Sequence, residues 1–291
     1  SAEVSGSDNI GGVVAANYGC LTITDSTYNG KINCNTGSGF VAYDTGNYWD
    51  DESECVHIYG CLFDPAEGSG YGLAGDAFAL ESYGIVNDCY YTALWEDAAM
   101  GSFGINGISF DKMYVGGDES NPFTLQGHGS YGLESLRLLT ERGRTKGVYF
   151  RQDTYMKAFT PIGDENHPFE GTFDGNGYTL EAGFNNIEDP VAAPFGRIDN
   201  ATIKRVTVTG QVHAQRCAGL VLDSSGESLI DQCVIYADIK GKDTVGGYVS
   251  QTKDSLCISY SNFEGTINGE NNCGGFIANS AAGTHIYDNI A

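Results

Sequence analysis

Clusters of acidic residues are the first place to look for chemistry in this sequence. Asp174 lies near Asp164 and Glu165, and a second acidic run is Asp50-Asp51-Glu52 with Glu54. Two carboxylates about 5 to 10 Å apart could serve as the acid and base of glycoside hydrolysis. Asp174, however, begins the stretch Asp174-Gly175-Asn176-Gly177, whose composition is that of a turn. We therefore predict no catalytic residue, and a carbohydrate-cleaving enzyme is kept as an alternative.

Signatures of metal sites and of nucleophiles are equally weak. Asp-rich loops supply the oxygen ligands that Ca²⁺ prefers, but the sequence contains neither an EF-hand loop nor a tandem calcium-binding nonapeptide. No Ser lies in a G-x-S-x-G elbow. The five histidines are scattered at His57, His128, His167, His213 and His285. We predict no cofactor, leave Ca²⁺ open and assign no metal ligands.

The charge of the chain excludes two classes of partner. Its 291 residues carry 15 basic and 38 acidic side chains, for a net charge of −23. Such a surface repels nucleic-acid phosphates and anionic membranes. No stretch approaches the roughly 18 consecutive apolar residues of a membrane helix. We therefore expect neither nucleic-acid binding nor membrane insertion.

Cysteine parity limits the disulfide chemistry. Nine cysteines cannot all pair within one chain, so at least one thiol is free or bonded to a neighbouring molecule. Several of them occupy apolar positions of the repeat described next. We expect buried free thiols ahead of a disulfide framework.

A regular repeat must position whatever site the chain has. A small-residue pair followed by apolar residues recurs, and its second glycine falls at Gly219, Gly247 and Gly275, with separations of 28 residues. In a numbering that runs on from Ala291 into Ser1, Gly12 again lies 28 positions beyond Gly275, and Gly39 follows 27 positions later. The repeat therefore keeps its phase across the two chain ends.

A strand with alternating sides precedes each small pair. Its inward residues are Val208, Gly210 and Val212, then Ile235, Ala237 and Ile239, then Phe263, Gly265 and Ile267, and later Tyr28, Gly30 and Ile32. This period of two indicates one buried and one solvated face. The equivalent strand at the chain ends reads Ala291, Ala2 and Val4 inward. Units of about 28 residues bury their apolar faces by stacking. We therefore predict an all-β parallel solenoid and regard a Greek-key sandwich as the less favoured alternative.

The sequence also resembles a known repeat family. The residues that carry the resemblance are Thr160-Pro161-Ile162-Gly163, the run Pro168 to Leu180 that contains Phe173-Asp174-Gly175-Asn176-Gly177, the Gly-Gly-apolar repeats and Asn87-Asp88-Cys89-Tyr90-Tyr91-Thr92. They resemble the GLUG-type repeat modules of large bacterial surface proteins. The resemblance implies a right-handed parallel β-helix in a secreted adhesin, a surface stalk or a non-catalytic region beside an enzyme domain.

The order of the halves departs from that family. Residues 1–92 correspond to the closing half of a module and 131–291 to its opening half, with an irregular or β connection over 93–130. An amphipathic helix over 133–141 is expected to cap the first coil of the opening half. The module is circularly shifted.

Three arrangements fit this shift. The chain is one period of a longer tandem polypeptide, or a subunit that stacks head to tail with identical copies, or its two halves pack on one another. The first two place the junction at Gly275, Phe276, Ile277, Ile286 and Ala291 with Ala2, Val4, Gly12 and Val13. We expect a secreted or cell-surface structural or adhesive protein without catalysis. The main alternative is a module that binds a glycan or host protein through exposed aromatics such as Tyr48 and Trp49.

Overall fold

The computed structural model confirms the parallel β-solenoid. It describes residues 2–43, 56–66, 68–76, 78–79, 85–87, 89–91, 102–104, 108–109, 117–120, 122–125 and 131–290. Within these residues the fold is nearly all-β, with parallel strands stacked in about 8 turns at a spacing of about 28 residues and one short helix. The chain divides into two compact units, Ser1–Asn106 with Lys112–Val115 and Gly107–Asp111 with Gly116–Ala291, and this division falls inside the predicted connection over 93–130.

The first unit contains eleven described strands. They are β1 (Glu3–Ser5), β2 (Ile10–Gly11), β3 (Leu21–Thr24), β4 (Thr27–Tyr28), β5 (Lys31–Ser38), β6 (Val56–Tyr59), β7 (Leu62–Phe63), β8 (Gly70–Asp76), β9 (Ile85–Asn87), β10 (Cys89–Tyr91) and β11 (Ser102–Gly104). Strands from successive coils form three sheets: β1, β2 and β8 on β5, the row β3-β6-β9, and the row β4-β7-β10-β11. All of these described pairs are parallel.

The second unit begins with a short antiparallel pair and a helix. Its first elements are β12 (Ile108–Ser109), β13 (Phe123–Leu125), α1 (Tyr131–Glu141), β14 (Tyr149–Gln152) and β15 (Met156–Ala158). Strand β12 is antiparallel to β13, and β13 is parallel to β14. Helix α1 contacts β12, β13 and β15 and buries Leu133, Leu136 and Leu139. The predicted capping helix therefore covers the first coil of this unit.

Four parallel rows continue from that capped coil. Their further strands are β16 (Thr172–Asp174), β17 (Thr179–Asn185), β18 (Val191–Ala192), β19 (Phe195–Asp199), β20 (Thr202–Lys204), β21 (Thr207–His213), β22 (Arg216–Ala218), β23 (Val221–Ser225), β24 (Ser228–Asp231), β25 (Val234–Ile235), β26 (Asp238–Gly241), β27 (Val245–Gly246), β28 (Val249–Thr252), β29 (Leu256–Ser259), β30 (Asn262–Phe263), β31 (Thr266–Gly269), β32 (Cys273–Gly274), β33 (Ile277–Asn279) and β34 (His285–Tyr287). The rows are β14-β16-β20-β24-β29-β34, β15-β17-β21 with β25-β30 and β26-β31, β18-β22-β27-β32, and β19-β23-β28-β33.

Residue size and alternation explain the stacking. The predicted inward residues Val208, Val212, Ile235 and Ile239 are all fully buried. Gly210 has a φ of +92°, and a Cβ there would lie 2.2 Å from the carbonyl oxygen of Ala182. Only glycine fits this position, because it combines a left-handed backbone with the closest approach of two coils.

Several coils also turn at an equivalent position through one residue with a left-handed backbone. In the second unit, Arg205, Gln232, Tyr260 and Asp288 adopt φ values of 53°, 53°, 47° and 55° at the corner after a strand of the β20-β24-β29-β34 row. Asp25 follows β3 with a φ of 50°. A single residue in the left-handed region turns the chain through the corner between two strands.

Candidate functional site

The first and last coils of the described chain expose residues that inner coils bury. Val13 is 50% exposed, whereas Phe40, the equivalent residue of the next coil, is fully buried. Ile286 is 47% exposed, whereas its register partner Ile258 is fully buried. Val4 is half-buried beside the fully buried Ile32, with which it pairs. The interior apolar ladders therefore reach the surface at these two coils.

Backbone groups of the two coils are complementary in type. Within the second unit, the amides of Tyr248 and Val249 both donate to the carbonyl of Phe276, each at 2.9 Å. Within the first unit, the amides of Val13 and Val14 both donate to the carbonyl of Phe40, at 3.2 and 2.8 Å. The equivalent amide of the last coil belongs to Phe276, and the equivalent carbonyl of the first coil belongs to Val13. Neither has a hydrogen-bond partner among the described residues.

A ladder of corner side chains repeats the same complementarity. The amide of Cys233 donates to Ser261 Oγ at 3.1 Å, and the amide of Ser261 donates to Asn289 Oδ1 at 2.6 Å. In the first unit, the amide of Cys61 donates to Cys89 Sγ at 3.4 Å. Ser26 holds the ladder position of the first coil, and its hydroxyl donates to Thr24 O at 2.8 Å. Ser261 makes the equivalent bond to Ser259 O at 2.7 Å.

The remaining predicted junction residues have a mixed status. Ala2 and Gly275 are exposed, and Gly12 and Ile277 are half-buried. Ala291 lies outside the described residues. A Cβ on Gly12 would lie 2.2 Å from Gly39 O, and one on Gly247 would lie 1.7 Å from Gly275 O. The small pair thus performs the same packing role in both units.

Asp174 is a buried structural node. Its side chain is fully buried and accepts hydrogen bonds from Tyr149 Oη at 2.5 Å, Arg205 Nε at 3.0 Å and the Asn176 amide at 2.9 Å. A second guanidinium nitrogen of Arg205 also contacts the carboxylate. Burial alone would raise the pKa of Asp174, but these donors, Arg205 first, hold the pKa below its usual range. The carboxylate joins three successive coils and has its acceptor positions occupied.

The two acidic residues considered with Asp174 lie in a different place. Asp164 Oδ1 accepts the amides of Asn166 and His167, both at 2.8 Å. Glu165 is 83% exposed and reaches Arg197 at 3.6 Å. Both line a groove of about 630 Å³ on the side of the second unit. The other lining residues are Pro161, Gly163, Val191, Gly196, Arg197, Arg216, Leu222, Asp223, Gln251 and Lys253.

The groove residues occupy outward positions of neighbouring strands. Arg197, Asp223 and Gln251 are register partners on β19, β23 and β28. Arg216 on β22 forms an ion pair with Asp223 and donates from Nε to Ser250 Oγ at 3.1 Å. The sequence analysis does not predict this groove. The only sequence signal is a polar residue four positions after each small pair, Asp223 after Gly219 and Gln251 after Gly247. Contact with Arg216 depends in addition on the corner between two rows, which the sequence does not reveal.

Other predicted candidates are dispersed or lie outside the described residues. Tyr48, Trp49, His128, Cys55 and the run 50–54 belong to the undescribed part of the chain. His167 and His213 each face one carboxylate, Asp164 at 3.5 Å and Asp238 at 3.1 Å. The eight described cysteines are free thiols. Within the described ranges, no group of three or more His, Cys, Asp or Glu side chains could hold a metal ion.

The chain was compared with protein families, curated proteins and solved structures. No protein-family model, no curated protein and no solved structure matches the chain. No helix in the described part of the chain is long and apolar enough to cross a membrane.

Proposed function

We propose that this chain is a non-catalytic extracellular structural or adhesive protein whose coils continue end to end. The junction joins the coil that contains Phe276 and Ile286 to the coil that contains Val4 and Val13. The partner is an identical copy in a head-to-tail filament or an adjoining module of a tandem surface stalk. A heterologous contact of this kind does not close on itself and extends without limit.

One observation carries the proposal: the structural repeat has the same phase on both sides of the junction. In a numbering that runs on from Ala291 into Ser1, the left-handed corner Asp25 lies 28 positions beyond Asp288. A second left-handed corner, Asn9, likewise lies 28 positions beyond Asn272. The corners at Gln232, Tyr260 and Asp288 follow one another at the same interval. The backbone geometry thus supports one uninterrupted coil series.

The interior side chains match across the same interval. Ile258 pairs with Ile286 in the second unit, and Ile23 pairs with Ile58 in the first. Ile23 lies 28 positions beyond Ile286 in the continued numbering, so an all-isoleucine ladder would run through the junction. In a second ladder, Ile239 pairs with Ile267 and Val4 pairs with Ile32, and Val4 lies 28 positions beyond Ile267 in the continued numbering. Burial of these ladders at the junction would stabilise the assembly by about 25 cal/mol for each Å² of apolar surface removed from water.

Hydrogen bonding supports the same register. The Phe276 amide would donate to Val13 O, as Tyr248 donates to Phe276. The Asn289 amide would donate to Ser26 Oγ, as Ser261 donates to Asn289. Such bonds remove the unpaired strand edges that otherwise invite nonspecific pairing.

Sedimentation and electron microscopy of the purified chain test the proposal. We expect concentration-dependent linear assemblies, and we expect Ile286→Asp to disperse them because it places a charge in the buried ladder. Tyr178→Asp is the matched control, because Tyr178 is also exposed, at 40%, but belongs to no junction ladder. Dispersed wild-type chains at all concentrations, or assemblies unaffected by Ile286→Asp, would rule out the end-to-end reading.

A binding module is the second candidate function, and the lateral groove is the observation that favours it. Asp174 gives no support to a polysaccharide lyase or hydrolase, because its carboxylate is enclosed by Arg205, Tyr149 and Asn176. A groove lined by three cations, three acidic residues and the half-buried amide of Gln251 suits recognition of a glycan.

A further inference from the structure

We infer that the lateral groove binds an acidic oligosaccharide, with Arg197 and Lys253 contacting carboxylates on separate sugar units. The groove residues all lie between Pro161 and Lys253 of the second unit, and none belongs to the junction. The inference therefore stands or fails independently of end-to-end assembly.

The groove contains three acidic and three basic side chains, and not all of the basic ones are paired. Of the three acids, Asp223 is held by Arg216, and Asp164 is held by the two backbone amides of its own turn. Glu165 is 83% exposed and only 3.6 Å from Arg197, a loose contact that an incoming anion can replace. Lys253 forms no ion pair within the described residues. Two cations thus remain available in a chain whose net charge is −23.

The side chain of Arg197 is held in place before any ligand binds. Its side chain is only 17% exposed, so the groove walls already restrict it. A planar guanidinium donates two parallel hydrogen bonds to a carboxylate, and less rotamer entropy is lost when the side chain is held beforehand. A carboxylate is therefore a group that Arg197 can hold through two parallel hydrogen bonds.

Arg197 and Lys253 belong to different coils of the stack. Arg197 lies on β19, and Lys253 follows β28, two coils further. Two coil steps correspond to roughly 10 Å. Two carboxylates spaced along an extended chain can therefore each contact one of the two cations. An oligouronate has that arrangement.

The surface of the groove suits a saccharide better than an acidic peptide. Strands β23 and β28 lie in the interior of their row, and the outer edge of β19 is bridged by Ile162 and Phe169, so the groove offers no free strand edge to a peptide backbone. Gln251 and Asp223 instead present side-chain donors and acceptors that suit hydroxyl groups. Val191, which is 40% exposed, and Pro161 offer apolar surface for the C–H face of a sugar ring.

Isothermal titration calorimetry with tri-galacturonate tests the inference. We expect binding that weakens with salt, and we expect the fully methyl-esterified trisaccharide and tri-glutamate to bind at least about tenfold more weakly. Arg197→Gln should weaken tri-galacturonate binding about tenfold or more, because it removes a bidentate ionic contact. Arg197→Lys should fall between the two, and Lys253→Gln should weaken binding several-fold.

Lys240→Gln is the matched control. It removes the same charge from β26, which belongs to a different row of the same unit, and should leave the affinity unchanged. Circular dichroism checks the fold of each variant, and Lys253→Gln carries the test if Arg197→Gln fails to fold. The inference is overturned by absence of tri-galacturonate binding at millimolar concentration. It is also overturned if the ester or tri-glutamate binds equally, or if folded Arg197→Gln and Lys253→Gln bind like the wild type.

Discussion

Ile258 and Ile286 are register partners on adjacent parallel strands, yet Ile258 is fully buried and Ile286 is 47% exposed. The two side chains occupy the same position of successive coils and differ only in whether another coil lies above them. The exposed member therefore marks the surface at which the described solenoid stops and at which we propose that it continues.

The first prediction compares alanine substitutions at these two positions. Ile258→Ala should lower the free energy of unfolding by about 2 to 5 kcal/mol, because it leaves a cavity between coils. Ile286→Ala should lower it by about 1 kcal/mol or less in dilute solution, because much of the side chain is already in water. Urea denaturation of both variants at low protein concentration measures the difference. Equal losses would contradict the assignment of Ile286 to an open coil face.

The second prediction concerns the buried carboxylate. Asp174→Asn should cost about 3 kcal/mol at pH 7, at the lower end for buried pairs because Arg205 is 44% exposed. The pKa of Asp174 is lower in the folded chain than its ordinary value of about 3.9. Its contribution is therefore present above pH 4 and is lost as the pH falls through the folded pKa.

Urea denaturation at pH 7 and pH 3 checks the pH dependence. The stability difference between wild type and Asp174→Asn should shrink at the lower pH. Asp153→Asn is the control, since Asp153 is exposed and should change stability by less than about 0.5 kcal/mol. A difference that persists undiminished well below the folded pKa would contradict the ionic role of Asp174.

The third prediction concerns the close approach of coils at the small pair. Gly247→Ala should destabilise the chain by about 3 kcal/mol or more, since its Cβ would lie 1.7 Å from the carbonyl oxygen of Gly275. Gly19→Ala is the control, because a Cβ at Gly19 meets nothing within 4 Å. Thermal unfolding followed by circular dichroism compares them. A Gly247→Ala melting temperature equal to that of the wild type would refute the packing role of the pair.

The fourth prediction concerns thiol reactivity. Burial raises the pKa of both Cys217 and Cys233 to about 12, so these thiols carry almost no thiolate at pH 8. Cys20 and Cys273 are exposed. Iodoacetamide at pH 8, at a protein concentration too low for end-to-end assembly and followed by peptide mass spectrometry, should modify Cys20 and Cys273 first and Cys217 and Cys233 only after unfolding. Equal rates at Cys20 and Cys233 would show that the coil interior is open to solvent.

The sequence predicts the coils better than it predicts the sites. Val208, Ile235 and the small pairs report the fold because alternation and spacing are local properties of the chain. The partners of Asp174 are not local, since Tyr149 and Arg205 lie 25 and 31 residues away and meet it only when three coils stack in register. The same holds for Arg216 and Gln251, which join one groove through the corner between two rows. A candidate site on a solenoid therefore becomes visible only after the coils are aligned with one another.

Disulfide trapping tests directly whether the last coil of one copy continues into the first coil of the next with a 28-residue step. Asn289→Cys and Ser26→Cys are combined in a chain in which Cys20 and Cys61 are replaced by Ser and Cys273 by Val, because Cys61 holds the same ladder position as Ser26 one coil away and Cys273 pairs with Val245. Paired coils bring Cα atoms within the roughly 4.4 to 6.8 Å that a disulfide spans. Asn289→Cys with Ser5→Cys is the control, because Ser5 is exposed in the first coil but lies in a different row.

Mild oxidation followed by mass analysis of the denatured products gives the answer. We expect a ladder of covalent multimers from the Asn289→Cys/Ser26→Cys chain and mainly monomers from the control chain. Monomers alone from both chains, or equal ladders from both, would contradict the continuation of coils from one copy to the next.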